Sequence, residues 1–98
     1  MAYKISKKAN TDINNIWIYT AENWSVEQAD RYYNLILDEI EYIDSHFEAG
    51  RILEHLKPGY RSTKVKSHII FYQCKKDNVI EIVRVLHQSM DIENRLEE

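Results

Sequence analysis

The residues best suited to chemistry are three cations and a histidine in the second half of the chain. Arg61, Lys64 and Arg84 can hold a phosphate group, and His87 has an ordinary pKa near ~6.5, which suits proton transfer. Arg84 and His87 lie in SHIIFYQCKKDNVIEIVRVLHQSMD, residues 67–91, which reads as two apolar strands joined by a polar turn. A purely structural hairpin needs neither residue. Arg84, His87 and Arg61 are therefore weak catalytic candidates.

The same residues have structural explanations. Arg84 interrupts an apolar strand, and a buried guanidinium without a partner is costly. A carboxylate is therefore expected nearby, either Glu81 or an acid of the preceding helices. His87 ends a strand and His68 begins one, where an imidazole can bond backbone groups without any further role. Catalysis and framework both stay open for Arg84 and His87.

The sequence shows no pattern for a metal or cofactor. The histidines and the single cysteine lack ligand spacings such as C-x-x-C or H-x-x-x-H; they are His46, His55, His68, His87 and Cys74. A Gly-rich phosphate loop is absent, and no serine has the context of a nucleophile elbow. We expect neither a metal nor a cofactor.

Two helices are predicted to precede the strands. After a short strand at 3–6, Ser6 can cap a helix that begins near Lys7. Ser25 and Gln28 form a capping-box pattern that starts a second helix after a short break, which favours an antiparallel hairpin that stops at Gly50. Three-four spacing places one apolar stripe on each helix: Ala9, Ile13, Ile16, Trp17, Thr20 and Trp24 on the first, and Ala29, Tyr33, Ile36, Ile40, Ile43 and Phe47 on the second.

Three further strands are predicted at 60–65, 68–74 and 79–86, after a Pro-Gly turn and around the turn KKDN. In the last strand, alternation places Ile80, Ile82 and Leu86 on one face and Val79, Val83 and Val85 on the other. Both faces are apolar, and a helical hairpin covers only one. The other face is covered by the C-terminal segment DIENRLEE, by a partner subunit or by a separate protein.

Length and charge set the remaining limits. At 98 residues the chain is expected to form one domain, residues 1–98. One cysteine and no apolar leader indicate a cytoplasmic location, and no apolar run is long enough for a membrane span. Residues 9–49 carry nine acids against Arg31 alone, and residues 51–87 carry eight Lys or Arg against three acids. This dipolar distribution can attract a basic partner on one side and an acidic partner on the other.

Three motifs in order resemble the ParE toxins of the RelE/ParE superfamily. They are Ala-x-x-Asp-Ile-x-x-Ile at 9–16, SHIIFY at 67–72 and VLHQSMD at 85–91. The resemblance implies an α+β fold: a short N-terminal strand, an αα-hairpin, and a three-stranded antiparallel sheet packed on the helices.

The resemblance also implies a function. The chain would be the toxin of a type II toxin-antitoxin system, of the kind associated with plasmid stabilisation. It would bind DNA gyrase without catalysing a reaction, would be neutralised in a hetero-oligomer by a ParD-like antitoxin, and would not bind nucleic acid directly. The candidate target-facing or antitoxin-binding residues are Arg61, Lys64, Arg84, His87, Met90, Tyr19 and Tyr32. Tyr19 and Tyr32 lie off the two stripes, so they are surface aromatics or line a groove for an antitoxin helix.

Two alternatives stay open. A RelE-like toxin is an endoribonuclease that cuts mRNA on the ribosome, but that family has a C-terminal Tyr at its active face. Here the residues after His87 read QSMDIENRLEE, which is acidic and lacks Tyr. The third reading is a non-toxic interaction module of a toxin-antitoxin complex.

Overall fold

The structure is a computed structural model that describes residues 3–53 and 57–97. In it, two helices that form a hairpin follow the first strand. Helix α1 spans Lys7–Asn23 and α2 spans Val26–Ser45. The Ser6 hydroxyl accepts a hydrogen bond from the Ala9 N–H, and the Ser25 hydroxyl accepts one from the Gln28 N–H, each at 3.0 Å. Both predicted N-caps are confirmed. No helix in the described ranges has the length and apolarity to cross a bilayer.

Five strands form one sheet in the order β1-β5-β4-β3-β2. Their bounds are β1 Tyr3–Ile5, β2 Arg51–Ile52, β3 Tyr60–Val65, β4 His68–Cys74 and β5 Ile80–His87. The predicted antiparallel strands β3, β4 and β5 are confirmed, and the polar turn between the last two is a 3-10 turn at Lys76–Asn78. The N-terminal strand joins the same sheet, parallel to β5, and the two-residue β2 adds an edge that the sequence did not indicate.

The main core lies between the helices and one sheet face. Fully or almost fully buried hydrophobic side chains of α1 and α2 meet those of the sheet: Ala9, Ile13, Ile36, Ile40 and Ile43 pack against Ile70, Tyr72, Ile80, Ile82 and Val85. Burial of this apolar surface is the main force that holds the hairpin on the sheet.

A β-bulge in β5 changes the predicted faces of that strand. Phe71 pairs with Arg84 but Tyr72 pairs with Ile82, so Val83 is the extra residue. Beyond it the alternation shifts by one. Val85 faces the helices and Leu86 faces away, so the prediction that Leu86 shares a face with Ile82 is wrong.

The second sheet face is covered by the C-terminal segment, the first of the three predicted alternatives. Helix α3 spans Ile92–Glu97, and its Leu96 is buried. Leu96 packs in a second cluster with Leu53, Phe71 and Leu86. The chain thus supplies its own cover for this part of the sheet.

Three aromatic predictions fail. Trp24 is 68% exposed because α1 ends at Asn23, so the residue lies past the packed stripe. Tyr33 is 37% exposed, while Tyr32 packs against the main core. Positions 32 and 33 both fit the three-four spacing between Ala29 and Ile36, and the sheet lies on the side of Tyr32. The prediction that Tyr32 is off the packed stripe is therefore also wrong.

Candidate functional site

Three titratable side chains meet at one end of the sheet. Tyr32 comes from α2, His68 begins β4 and His87 ends β5. The Tyr32 hydroxyl lies 2.6 Å from His68 Nδ1, and the two imidazole ring centres are 5.2 Å apart with perpendicular planes. On the far side, Ser89 Oγ lies 2.7 Å from His87 Nδ1. We call these residues the Tyr32–His68–His87 cluster.

Hydrogen bonds assign the proton positions in this cluster. The Tyr32 hydroxyl donates its one proton to the Val65 carbonyl at 3.0 Å, so it accepts from the Nδ1–H of His68. Neutral His68 then carries its lone pair on Nε2. His87 Nδ1 accepts from the Ser89 N–H at 3.1 Å, so neutral His87 carries its proton on Nε2. The two rings therefore hold opposite tautomers.

Burial shifts the pKa values of Tyr32 and His68. Desolvation, and secondly the charge that His87 would carry, lower the pKa of His68 to about 4. Desolvation raises the pKa of Tyr32, against a smaller opposing effect of a hydrogen bond with the Ser67 backbone. At neutral pH Tyr32 is therefore protonated and His68 is not, and His68 Nε2 is a free base.

Arg84 lies outside this cluster, within β5. Its Nε donates to Asp12 Oδ2 at 2.8 Å and its Nη2 to Asp12 Oδ1 at 3.0 Å, while Nη1 donates to the Arg95 carbonyl at 3.0 Å. Asp12 also accepts from the Val85 N–H at 3.0 Å. Arg84 thus ties α1 on one sheet face to α3 on the other. The expected carboxylate comes from the helical hairpin, whereas Glu81 pairs with Lys75 and Gln73.

Arg61 supports a turn. Its Nη1 donates to the Gly50 carbonyl at 2.9 Å, and its guanidinium lies 4.9 Å from the centre of the Phe47 ring. The Tyr72 hydroxyl donates to the Phe47 carbonyl at 2.8 Å. Gly50 follows the 3-10 helix Phe47–Ala49 as its C-cap residue, with an extended backbone, and a Cβ there would overlap the Tyr72 hydroxyl. Helix α2 ends earlier than predicted, at Ser45, and Gly50 ends the 3-10 helix that follows it.

The other candidate residues are dispersed. Lys64 is exposed on β3 and, three residues from Arg61, emerges on the opposite face. Met90 is 41% exposed in the turn after His87, where its N–H donates to the His87 carbonyl at 3.0 Å. Tyr19 is 60% exposed and lies beside Trp24 at the tip of the hairpin. The structure therefore brings together only Tyr32, His87 and, nearby, Met90.

Sequence reasoning missed His68 as the centre of the cluster. A hairpin symmetric about the turn at 75–78 would pair His68 with Val85, whereas the structure pairs His68 with His87. The bulge at Val83 accounts for part of this two-residue shift in register. No residue of the strand predicts a bulge at that position. Within the described residues, no group of three or more His, Cys, Asp or Glu is arranged to hold a metal ion.

Comparison with known proteins identifies the family. A family profile described as ParE toxin of type II toxin-antitoxin system, parDE, matches residues 3–92. The chain belongs to the ParE toxin family. It is 40% identical over 89 residues to Toxin ParE1 of Caulobacter vibrioides, with 91% of each chain covered. It is 34% identical over 94 residues to Toxin ParE1 of Mycobacterium tuberculosis, with 96% of each covered.

The fold of this ParE-family chain matches a solved structure. The match is to a chain from the structure titled Chromosomal ParDE TA system from P. aeruginosa, with a TM-score of 0.77 and 19% identity. It covers 89% of this chain and 95% of the other. The α+β fold expected from the three motifs is confirmed. Two of those motifs, SHIIFY and VLHQSMD, contain His68 and His87 of the cluster.

Proposed function

We propose that this ParE-family chain inhibits DNA gyrase by binding it and is neutralised by a ParD-like antitoxin, with both events in the cytoplasm. The observation that carries the proposal is the family match over residues 3–92. Membership of this family supports a role as the toxin of a toxin-antitoxin pair. The positions of the charged residues then indicate how the toxin acts.

The positions of the cations support action by binding over RNA cleavage. Cleavage at a ribose needs a base, a cation on the phosphate and an acid, within reach of one another. Arg84 is committed to Asp12 and to the Arg95 carbonyl, and Arg61 to the turn at Gly50. None of these hydrogen bonds joins either guanidinium to a residue of the Tyr32–His68–His87 cluster. The cluster could supply a base, and this is the observation that favours the endoribonuclease as the second candidate.

The antitoxin is expected on the basic half of the chain. Residues 51–87 carry the excess of Lys and Arg, and β2 forms an edge of the sheet with exposed Arg51 and Ile52. An acidic segment with large apolar residues can add a strand there or lay a helix beside it. Because α3 packs on Phe71 and Leu86 of the second sheet face, that part of the face is not the docking surface we propose.

Co-expression tests the partner. The chain and the product of the neighbouring small gene should elute as one complex in size-exclusion chromatography. Arg51→Glu should weaken that complex, because it reverses an exposed charge on the β2 edge of the basic half. Lys4→Glu is the matched control, since Lys4 is exposed on β1 at the opposite edge of the sheet. Separate elution of the two wild-type proteins would remove the antitoxin from the proposal.

A second assay tests the target. The purified chain, free of antitoxin, should inhibit gyrase supercoiling or trap cleaved DNA and should leave ribosome-bound mRNA intact. Cuts at the ribosomal A site would establish the endoribonuclease instead. A chain that binds its partner but affects neither gyrase nor mRNA would be the non-toxic interaction module.

A further inference from the structure

The two histidines of the Tyr32–His68–His87 cluster occupy directly opposed positions on neighbouring strands. His68 and His87 are register partners at the open end of the β4–β5 pair. Opposed residues of antiparallel strands have Cβ atoms roughly 4.5–5.5 Å apart, so their side chains share one patch of surface. Both side chains are partly exposed. The backbone alone therefore brings two imidazoles together where solvent reaches them.

Their separation fits a shared metal ion. An imidazole nitrogen binds Zn²⁺ at about 2.0–2.1 Å, so with a ring centre roughly 1.2 Å behind that nitrogen, two imidazoles at a tetrahedral angle have centres about 5 Å apart. The observed distance between the ring centres is 5.2 Å. An ion would thus require rotation of a ring and no movement of the strands.

The hydrogen bonds leave one nitrogen of the His68 ring available to an ion. The Nδ1–H of His68 is held by the Tyr32 hydroxyl at 2.6 Å, which leaves the lone pair on Nε2. A metal-binding histidine commonly donates its other N–H to such an oxygen, which fixes the tautomer and orients the ring.

We propose that His68 and His87 bind one divalent transition-metal ion of the Zn²⁺ class through their Nε2 atoms. His68 is ready to bind, whereas His87 must change tautomer. Its single ring proton moves through solvent water from Nε2 to Nδ1, and the new Nδ1–H donates a hydrogen bond to Ser89 Oγ, 2.7 Å away, while the Ser89 N–H gives up its bond to that nitrogen. Imidazole ligands select Zn²⁺, Ni²⁺ or Cu²⁺ over Mg²⁺ or Ca²⁺. Two protein ligands leave the other positions to water, so the site is an open one.

Titration of the untagged full chain with ZnCl₂ after treatment with a chelator tests this site. Isothermal calorimetry should show one ion per chain, and Zn²⁺ should raise the melting temperature because it binds the folded state. His68→Ala and His87→Ala should each weaken binding at least about tenfold, and Tyr32→Phe, which removes the orienting oxygen, by roughly 10- to 100-fold. His46→Ala should bind like wild type, since His46 is exposed at the far end of α2, stacked on Tyr42.

Two further readouts keep the test decisive. Zn²⁺ should shift the ring NMR signals of His68 and His87 and leave those of His46 in place. If His68→Ala fails to fold, His87→Ala decides, because the hydrogen bonds of its ring are solvent-exposed. Absence of binding at millimolar Zn²⁺ would overturn the proposal. So would equal loss in His46→Ala, or wild-type affinity in a folded His87→Ala variant.

Discussion

Replacing Arg84 with alanine should strongly destabilise the protein, because Arg84 joins three elements through one guanidinium. It makes two hydrogen bonds to Asp12 on α1 and one to the Arg95 carbonyl of α3. The side chains of Arg84 and Asp12 are only 10% and 14% exposed. Removal of the cation leaves the largely buried Asp12 carboxylate, which still accepts a hydrogen bond from the Val85 N–H.

The size of the effect follows from that burial. Breaking a buried ion pair from one side typically costs about 3–5 kcal/mol, since the remaining charge stays desolvated. The partial exposure of Asp12 and its bond to Val85 place the expected loss at the lower end, at about 3 kcal/mol. A domain of this size loses about 4–8 °C of melting temperature per kcal/mol, so Tm should fall by roughly 12–24 °C.

Urea denaturation of single and double variants measures this loss. A cycle of Arg84→Ala, Asp12→Ala and the double variant should give a coupling energy of about 2 kcal/mol. Lys75→Ala is the matched control: Lys75 pairs with Glu81 at 3.3 Å, but its side chain is 51% exposed, so its loss should cost at most about 1 kcal/mol. If Arg84→Ala costs no more than Lys75→Ala, the pair with Asp12 does not hold the layers together.

Three other expectations concern single side chains. Gly50→Ala should cost about 1–3 kcal/mol in urea denaturation, because the new methyl group displaces the Tyr72 ring; a cost near zero would show that the turn relaxes freely. His87→Ala should cost about 1 kcal/mol or less and keep growth inhibition, since its hydrogen bonds are exposed; a stable but harmless variant would assign His87 to the target contact. Burial raises the pKa of Tyr72 above that of the unfolded chain, so its contribution is complete below pH ~10 and declines as pH rises through the folded value. Stability curves above pH 9 should therefore fall less steeply for Tyr72→Phe than for wild type, and parallel curves would refute this.

Local signals predicted much of the fold. The Ser6 and Ser25 caps and the strands at 60–65 and 68–74 depend on neighbouring residues, and the structure reproduces them. Where two residues fit the same helical spacing, the sequence alone does not indicate which of them is buried. Tyr32 and Tyr33 both continue the stripe from Ala29, and only the position of the sheet selects Tyr32. A two-residue strand such as β2 is too short to leave any pattern.

The candidate site was harder to predict from the sequence because it depends on the register between strands that are far apart in the chain. The need of Arg84 for a carboxylate could be predicted, but Asp12 lies 72 residues away and looks like an ordinary member of a polar helix face. His68 and His87 become partners only because of the shift in β5. Such contacts follow from the packed sheet as a whole, and no short motif encodes them.

The parallel pairing of β1 with β5 affects how the chain folds during synthesis. Strand β5 lies between β1 and β4, and the Ser6 hydroxyl donates to the Val83 carbonyl across 77 residues of sequence. Strand β1 is therefore synthesised before β5 and cannot pair in the sheet until β5 has left the ribosome. Until then a nascent chain can form the helical hairpin and β2–β4, but the strand that joins β1 to β4 is missing. Contacts of such high sequence separation slow folding, so the complete surface of the toxin should form only after translation of β5 has ended.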